Sequence, residues 1–146
     1  MLKSSKQQNE KEKFMQEIPS YKTACAIASV LDDKLGKEIT ILNISQVSVL
    51  ADYFVICSAD TPTQVKALTE YVRDRIKKWF DRIPIGEEKD LKNRWNLLDY
   101  GDVIVHVLHR EERETYAIEK FWNHALVIKQ EEWEKTAKEF SEYNNQ

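Results

Sequence analysis

Trp95-Asn96-Leu97-Leu98-Asp99-Tyr100-Gly101-Asp102-Val103-Ile104-Val105-His106-Val107-Leu108 reads as two strands around a turn. Two β-rich apolar runs are interrupted by Asp99, Tyr100 and Gly101, the composition of a hairpin. A two-residue Tyr-Gly turn would pair the valines with Asn96 and Arg94 and force Tyr100 toward positive φ. A bulged turn, with Asp99 and Tyr100 central and Gly101 left-handed, instead puts Trp95 and Leu97 on one apolar face with Val103, Val105 and Val107. Asn96, Leu98, Ile104 and His106 then take the second face. This reading leaves the side chains of Asp99 and Tyr100 exposed at the tip.

Outward from the hairpin, the elements alternate. Ala24, Ile27, Ala28, Leu31 and Leu35 recur at helical spacing after Pro19-Ser20, and Gly36 sits where a C-terminal cap belongs. Glu38–Ile44 and Ala51–Cys57 read as strands, the second apolar enough to be central. Thr61 is placed to cap a long helix with Pro62 at its first position. Its stripe is Val65, Leu68, Val72, Ile76 and Phe80. Arg73, Arg75, Lys77, Lys78 and Arg82 gather toward its C-terminal end, where cations meet the negative end of the helix dipole. Ile83-Pro84-Ile85-Gly86 reads as a sheet-edge piece.

Past the hairpin, a short helix is expected from Glu111 to about Asn123, then a brief apolar run, Ala125–Ile128. A charged helix follows with Trp133, Ala137 and Phe140 on one stripe. The pattern predicts an α/β (α+β) fold, a mixed sheet of about five strands flanked by helices. Residues 1–18, rich in Lys, Gln, Glu and Ser, read as a disordered extension; residues 19–128 read as the domain, and residues 129–146 as a C-terminal helix.

With 146 residues, 42% of them hydrophobic, the chain can bury one sizeable core. A net charge of −3 does not suit general nucleic-acid binding, whereas a basic protein partner fits it. Cys25 and Cys57 sit in apolar runs and make no disulfide framework. No run approaches the roughly 18 apolar residues that span a bilayer, so a cytoplasmic protein is expected. The three glycines, Gly36, Gly86 and Gly101, form no phosphate loop. His106 and His109, three apart on a strand, point to opposite faces, so no metal site is expected. No nucleophile motif is present, and neither a catalytic residue nor a cofactor is expected. Asp99 with Asp102 is the one carboxylate pair that could hold a divalent ion, which leaves a metal-dependent nucleotidyltransferase as the alternative.

Asp52–Ile56, Gln64-Val65, Ala67, Trp95–His106 and Glu119–Trp122 together resemble the signature of the ribosomal silencing factor family, also called RsfS or Iojap. The likeness covers roughly Tyr21 to Trp122. Two departures are Ala59-Asp60-Thr61 in place of Gly-Thr-Ser, and Glu87-Glu88-Lys89 in place of Val-Glu-Gly. The resemblance implies a nucleotidyltransferase-like fold without catalytic residues. It also implies a translation repressor that binds ribosomal protein fourteen of the large subunit and blocks joining of the small subunit when nutrients are short. A homodimer when free is implied too, with ribosomal RNA contact open. The partner-binding residues it implies are Trp95, Asp99, Tyr100 and Asp102, with Glu88 in addition.

Overall fold

The computed structural model describes residues 20–144, with side chains as far as residue 140. The expected N-terminal extension lies outside the described residues. A helix, α1, covers residues 20–33. It is followed by β1 (Lys37–Asn43), β2 (Tyr53–Ala59), α2 (Pro62–Phe80), β3 (Gly86–Glu88), β4 (Trp95–Asp99) and β5 (Val103–His109). The chain continues through α3 (Arg110–Tyr116), α4 (Ile118–Phe121), β6 (Leu126–Ile128) and α5 (Gln130–Asn144). The strands form one six-stranded sheet in the order β3-β4-β5-β2-β1-β6. Only β2 and β5 pair in parallel; the other neighbours are antiparallel. The sheet thus has one strand more than the sequence pattern indicated. The addition is β6, whose three residues are too few to show a period.

One sheet face is covered by α1, α2 and α5. Ile41, Val55, Cys57, Leu98, Val103, Val105 and Val107 meet Ala24, Ile27, Leu31, Val65, Leu68, Val72 and Ile76 there. α1 is buried almost all round, a pattern that needs cover on two sides. The second cover is α5: Trp133 is 2% exposed within this core, and the Phe140 ring packs edge-on against Phe80 at 5.1 Å. At the end of α1, Leu35 rather than Gly36 takes the left-handed conformation, at φ 66°. Gly36 is needed for room instead, since a Cβ there would lie 2.5 Å from Cys57 Sγ. Burial raises the Cys57 thiol to about 12 and the Cys25 thiol to about 11, so both stay protonated packing groups.

α2 starts as the sequence indicates, with Gln64 N–H donating to Thr61 Oγ1 at 3.1 Å and Pro62 in the first turn. The basic residues near its end are largely paired. Arg73 forks onto Glu87 at 2.7 and 2.9 Å, Lys77 binds Asp81, and Arg82 binds Asp102.

The hairpin register differs from the bulged one. Trp95 faces Leu108, Leu97 faces His106, and Asp99 faces Ile104, while Asn96 and Leu98 oppose Val107 and Val105. Tyr100 N–H donates to Val103 O at 2.9 Å, so the loop proper is Gly101-Asp102, and Gly101 supplies φ +88° at its first position. The valines therefore share their face with Asn96 and Leu98. Trp95 and Leu97 go to the opposite face with Ile104 and His106. The buried Asn96 is accommodated because its amide donates to Thr69 Oγ1 on α2 and to Asn93 Oδ1, and its Oδ1 accepts from Asp90 N–H.

Tyr100 is likewise not an exposed tip. It is 3% exposed in the main core, with the Arg82 guanidinium 5.5 Å from its ring centre, and its hydroxyl has no hydrogen-bond partner among the described residues. Tyr100→Ala is expected to cost about 3–5 kcal/mol of folding stability, the range for truncating a buried aromatic. Tyr100→Phe, which removes only the unpaired hydroxyl, should stay within about 1 kcal/mol of the parent. Urea denaturation of the two variants checks both.

Candidate functional site

The face opposite α1, α2 and α5 carries a second, smaller core. Leu42, Ile44, Ala51, Phe54, Ile56, Leu108 and Ile118 are buried in it, and Trp95, Ile104, Trp122 and Ala125 pack at its margin. α3 and α4 lie over β2 and β5 on this side, which leaves the β3–β4 end less covered. Alternation along β4 turns Trp95, Leu97 and Asp99 onto this face, and all three are half-buried. Glu88, on β3, pairs directly with Leu97 and is exposed. Glu88, Lys89, Asp90, Trp95 and Leu97 together line a shallow pocket of about 350 Å³.

Trp95 is held on two sides. Its Nε1–H donates to His106 Nδ1 at 3.2 Å, and the Tyr116 ring packs against it at 4.9 Å between centres. Tyr116 extends the aromatic surface outward at 58% exposure. The rim is acidic on the β3 side: Glu88 has no cationic partner among the described residues, and Asp99 Oδ1 accepts only Gly101 N–H, at 2.7 Å. Arg94, next to Trp95, is neutralised by Glu111 and Glu112 at 2.7 and 2.6 Å. Those glutamates lie in the first turn of α3, where the helix dipole also favours them.

Of the residues expected at a binding site, Trp95, Asp99 and Glu88 share this face. Tyr100 and Asp102 do not. Tyr100 is in the main core, and the Asp102 carboxylate receives Arg82 at 2.6 and 3.2 Å. The Asp102 carboxylate is taken up by Arg82 while that of Asp99 accepts Gly101 N–H, and among the described residues no group of three or more His, Cys, Asp or Glu is placed to hold a metal ion. His106 and His109 also diverge. His106 accepts from Trp95, whereas His109 caps α3 by accepting Glu111 N–H at 3.2 Å. Sequence reasoning missed Leu97 and Tyr116. The apolar-face pattern puts Leu97 on the wrong side, and Tyr116 reaches Trp95 only through the docking of α3.

The family model described as "Ribosomal silencing factor during starvation" matches residues 16–146. This chain belongs to the ribosomal silencing factor family. It is 38% identical over 98 residues to the ribosomal silencing factor RsfS of Bacillus subtilis, covering 67% of this chain and 82% of that one. It is 34% identical over 103 residues to the RsfS of Halalkalibacterium halodurans, covering 70% and 87%. A solved crystal structure from Chromobacterium violaceum superimposes with a TM-score of 0.66 at 32% identity, over 69% of this chain and 83% of that one. No helix among the described residues is long and apolar enough to cross a membrane. Within the family signature, Trp95 and Asp99 lie on the open face, while Tyr100 and Asp102 build the turn that holds β4 in register.

His106 gives this face a pH signature. Burial pushes its imidazole down from 6.5 to about 4, with the Arg113 guanidinium adding to the shift. Above about pH 6.5 the ring is neutral in both folded and unfolded chains and contributes no pH dependence. As pH falls below that value the unfolded chain takes up the proton first. Stability is therefore expected to drop by about 3 kcal/mol between pH 6.5 and 4 from this residue. Urea denaturation across that range, with His106→Asn as the comparison that cannot titrate, measures the difference in slope.

Proposed function

We propose that this chain is a steric silencer of translation: it binds the large ribosomal subunit through ribosomal protein fourteen and prevents the small subunit from joining, under nutrient limitation. The observation that carries this reading is the half-buried Trp95–Leu97–Asp99 stripe, with Glu88 beside it, at the end of the sheet face that α3 and α4 cover least. An aromatic centre with an acidic margin suits a basic ribosomal protein, because large apolar side chains supply most of the binding energy and rim charges steer the approach. Family membership supports a ribosomal target. The same reading puts the protein in the cytoplasm and makes it a homodimer when free. A second copy on the aromatic face would compete with the ribosomal partner.

Sucrose-gradient sedimentation with separated and joined ribosomal subunits tests this directly. The chain is expected with free large subunits and absent from joined ribosomes; equal recovery on joined ribosomes overturns steric blocking. Trp95→Ala is expected to weaken large-subunit binding roughly thirtyfold or more, about 2 kcal/mol. Glu88→Lys, an exposed charge reversal, should weaken it with little change in thermal midpoint. Quantitative co-sedimentation alongside thermal melts separates loss of binding from loss of fold.

A further inference from the structure

The indole of Trp95 has one polar atom, and the protein uses it internally. Nε1–H donates to Nδ1 of His106, one strand away on β5, with the rings 5.9 Å apart and tilted by 54°. His106 sits directly across from Leu97 on β4 and from Ile56 on β2, and the Phe54 ring meets it edge-on at 4.9 Å. It is 7% exposed. Because Nδ1 accepts, the neutral ring carries its proton on Nε2. That atom is buried and has no hydrogen-bond partner among the described residues.

A buried imidazole with one nitrogen unpaired is a poor choice for stability alone, since an unsatisfied buried donor is penalised and an apolar side chain would fill the same space between Phe54 and Ile56. The arrangement makes sense through what it does for Trp95. We propose that His106 is a positioning residue of the partner-binding face: by accepting the indole N–H it fixes the Trp95 ring in one orientation, so that the partner meets only the apolar part of the indole. Tyr116 closes the other side of the ring. The matching contact on the partner is then an aliphatic or aromatic side chain, or the flat face of a guanidinium, and not a carbonyl or carboxylate seeking a donor. This inference rests on the binding-face reading above.

The test measures large-subunit affinity of the full chain for Trp95→Ala, Trp95→Phe, His106→Phe, His106→Asn and the Trp95→Phe/His106→Phe double variant. The NMR resonance of the Trp95 indole N–H is followed in the His106 variants. His106→Phe is expected to weaken binding about tenfold and to shift that resonance. His106→Asn, whose Oδ1 can stand near the position of Nδ1, should recover most of the affinity. In the Trp95→Phe background, where no indole N–H exists, His106→Phe should add nothing. If His106→Phe does not fold, His106→Asn against His106→Gln replaces it, because the longer Gln side chain places its carbonyl near the position of Nε2; about tenfold tighter binding by Asn is expected. Native affinity in His106→Phe, an equal loss in the Trp95→Phe background, or equal binding by the Asn and Gln variants overturns the inference. Reduced affinity of Trp95→Ala beside native affinity of His106→Phe overturns it alone, whereas native affinity of Trp95→Ala overturns the binding-face reading and the inference together.

Discussion

Asp102 ties together three parts of the chain that sequence separates. Its carbonyl accepts the backbone N–H groups of Asp52 and Tyr53 at 2.8 and 3.1 Å, which aligns the start of β2 with the hairpin. Its carboxylate takes both terminal nitrogens of Arg82, just beyond the end of α2, while Arg82 also donates to Tyr100 O at 2.8 Å. A charge-assisted, two-point contact of this kind fixes geometry as well as adding energy. With the loop pinned at Gly101-Asp102, β4 has one register, and that register decides which side chains reach the open face. A slip of one residue would send Trp95 into the main core and Asn96 outward.

The two faces of β4 then do different work. Leu98 and Asn96 bind the hairpin to α2, the first through the main core and the second through Thr69. Trp95, Leu97 and Asp99 face away from α1, α2 and α5, with Tyr116 of α3 packed on Trp95 alone among the three, and form the surface proposed above for a partner. α5 adds to the same division, since Trp133 and Phe140 dock it against the main core and leave the Trp95 side free. A signature that runs Trp-x-Leu-Leu-Asp-Tyr-Gly-Asp thus mixes surface and scaffold, and Tyr100 and Asp102 belong to the scaffold.

Local signals in the sequence carried most of the elements: the Thr61-Pro62 cap, the stripe of α2, the glycine at the hairpin turn and the Trp133–Ala137–Phe140 stripe of α5 all have the positions that their chemistry requires. The register was not legible. Hydrophobic patterning favours a wholly apolar face over one containing Asn96, and the groups that satisfy Asn96 include Thr69, 27 residues away on another element. The apolar-face register puts Trp95 and Leu97 on the wrong face and Tyr100 at an exposed tip. The break between α3 and α4 was hidden for a related reason. It falls at Ala117, held at φ 45°, with no glycine or proline to mark it.

The parallel pairing of β2 with β5 also constrains how the chain comes into being. Tyr53 pairs with Val103 and Ala59 with His109, so each rung joins residues fifty positions apart, with α2, β3 and β4 in the interval. The hairpin of β4 and β5 closes over a few residues, but the sheet centre must wait for the whole crossover. During synthesis, β2 is made well before its parallel neighbour, and one of its edges stays unpaired until residue 109 has left the ribosome. For that interval the nascent chain carries the open edge of a largely apolar strand, the kind of surface that chaperones shield.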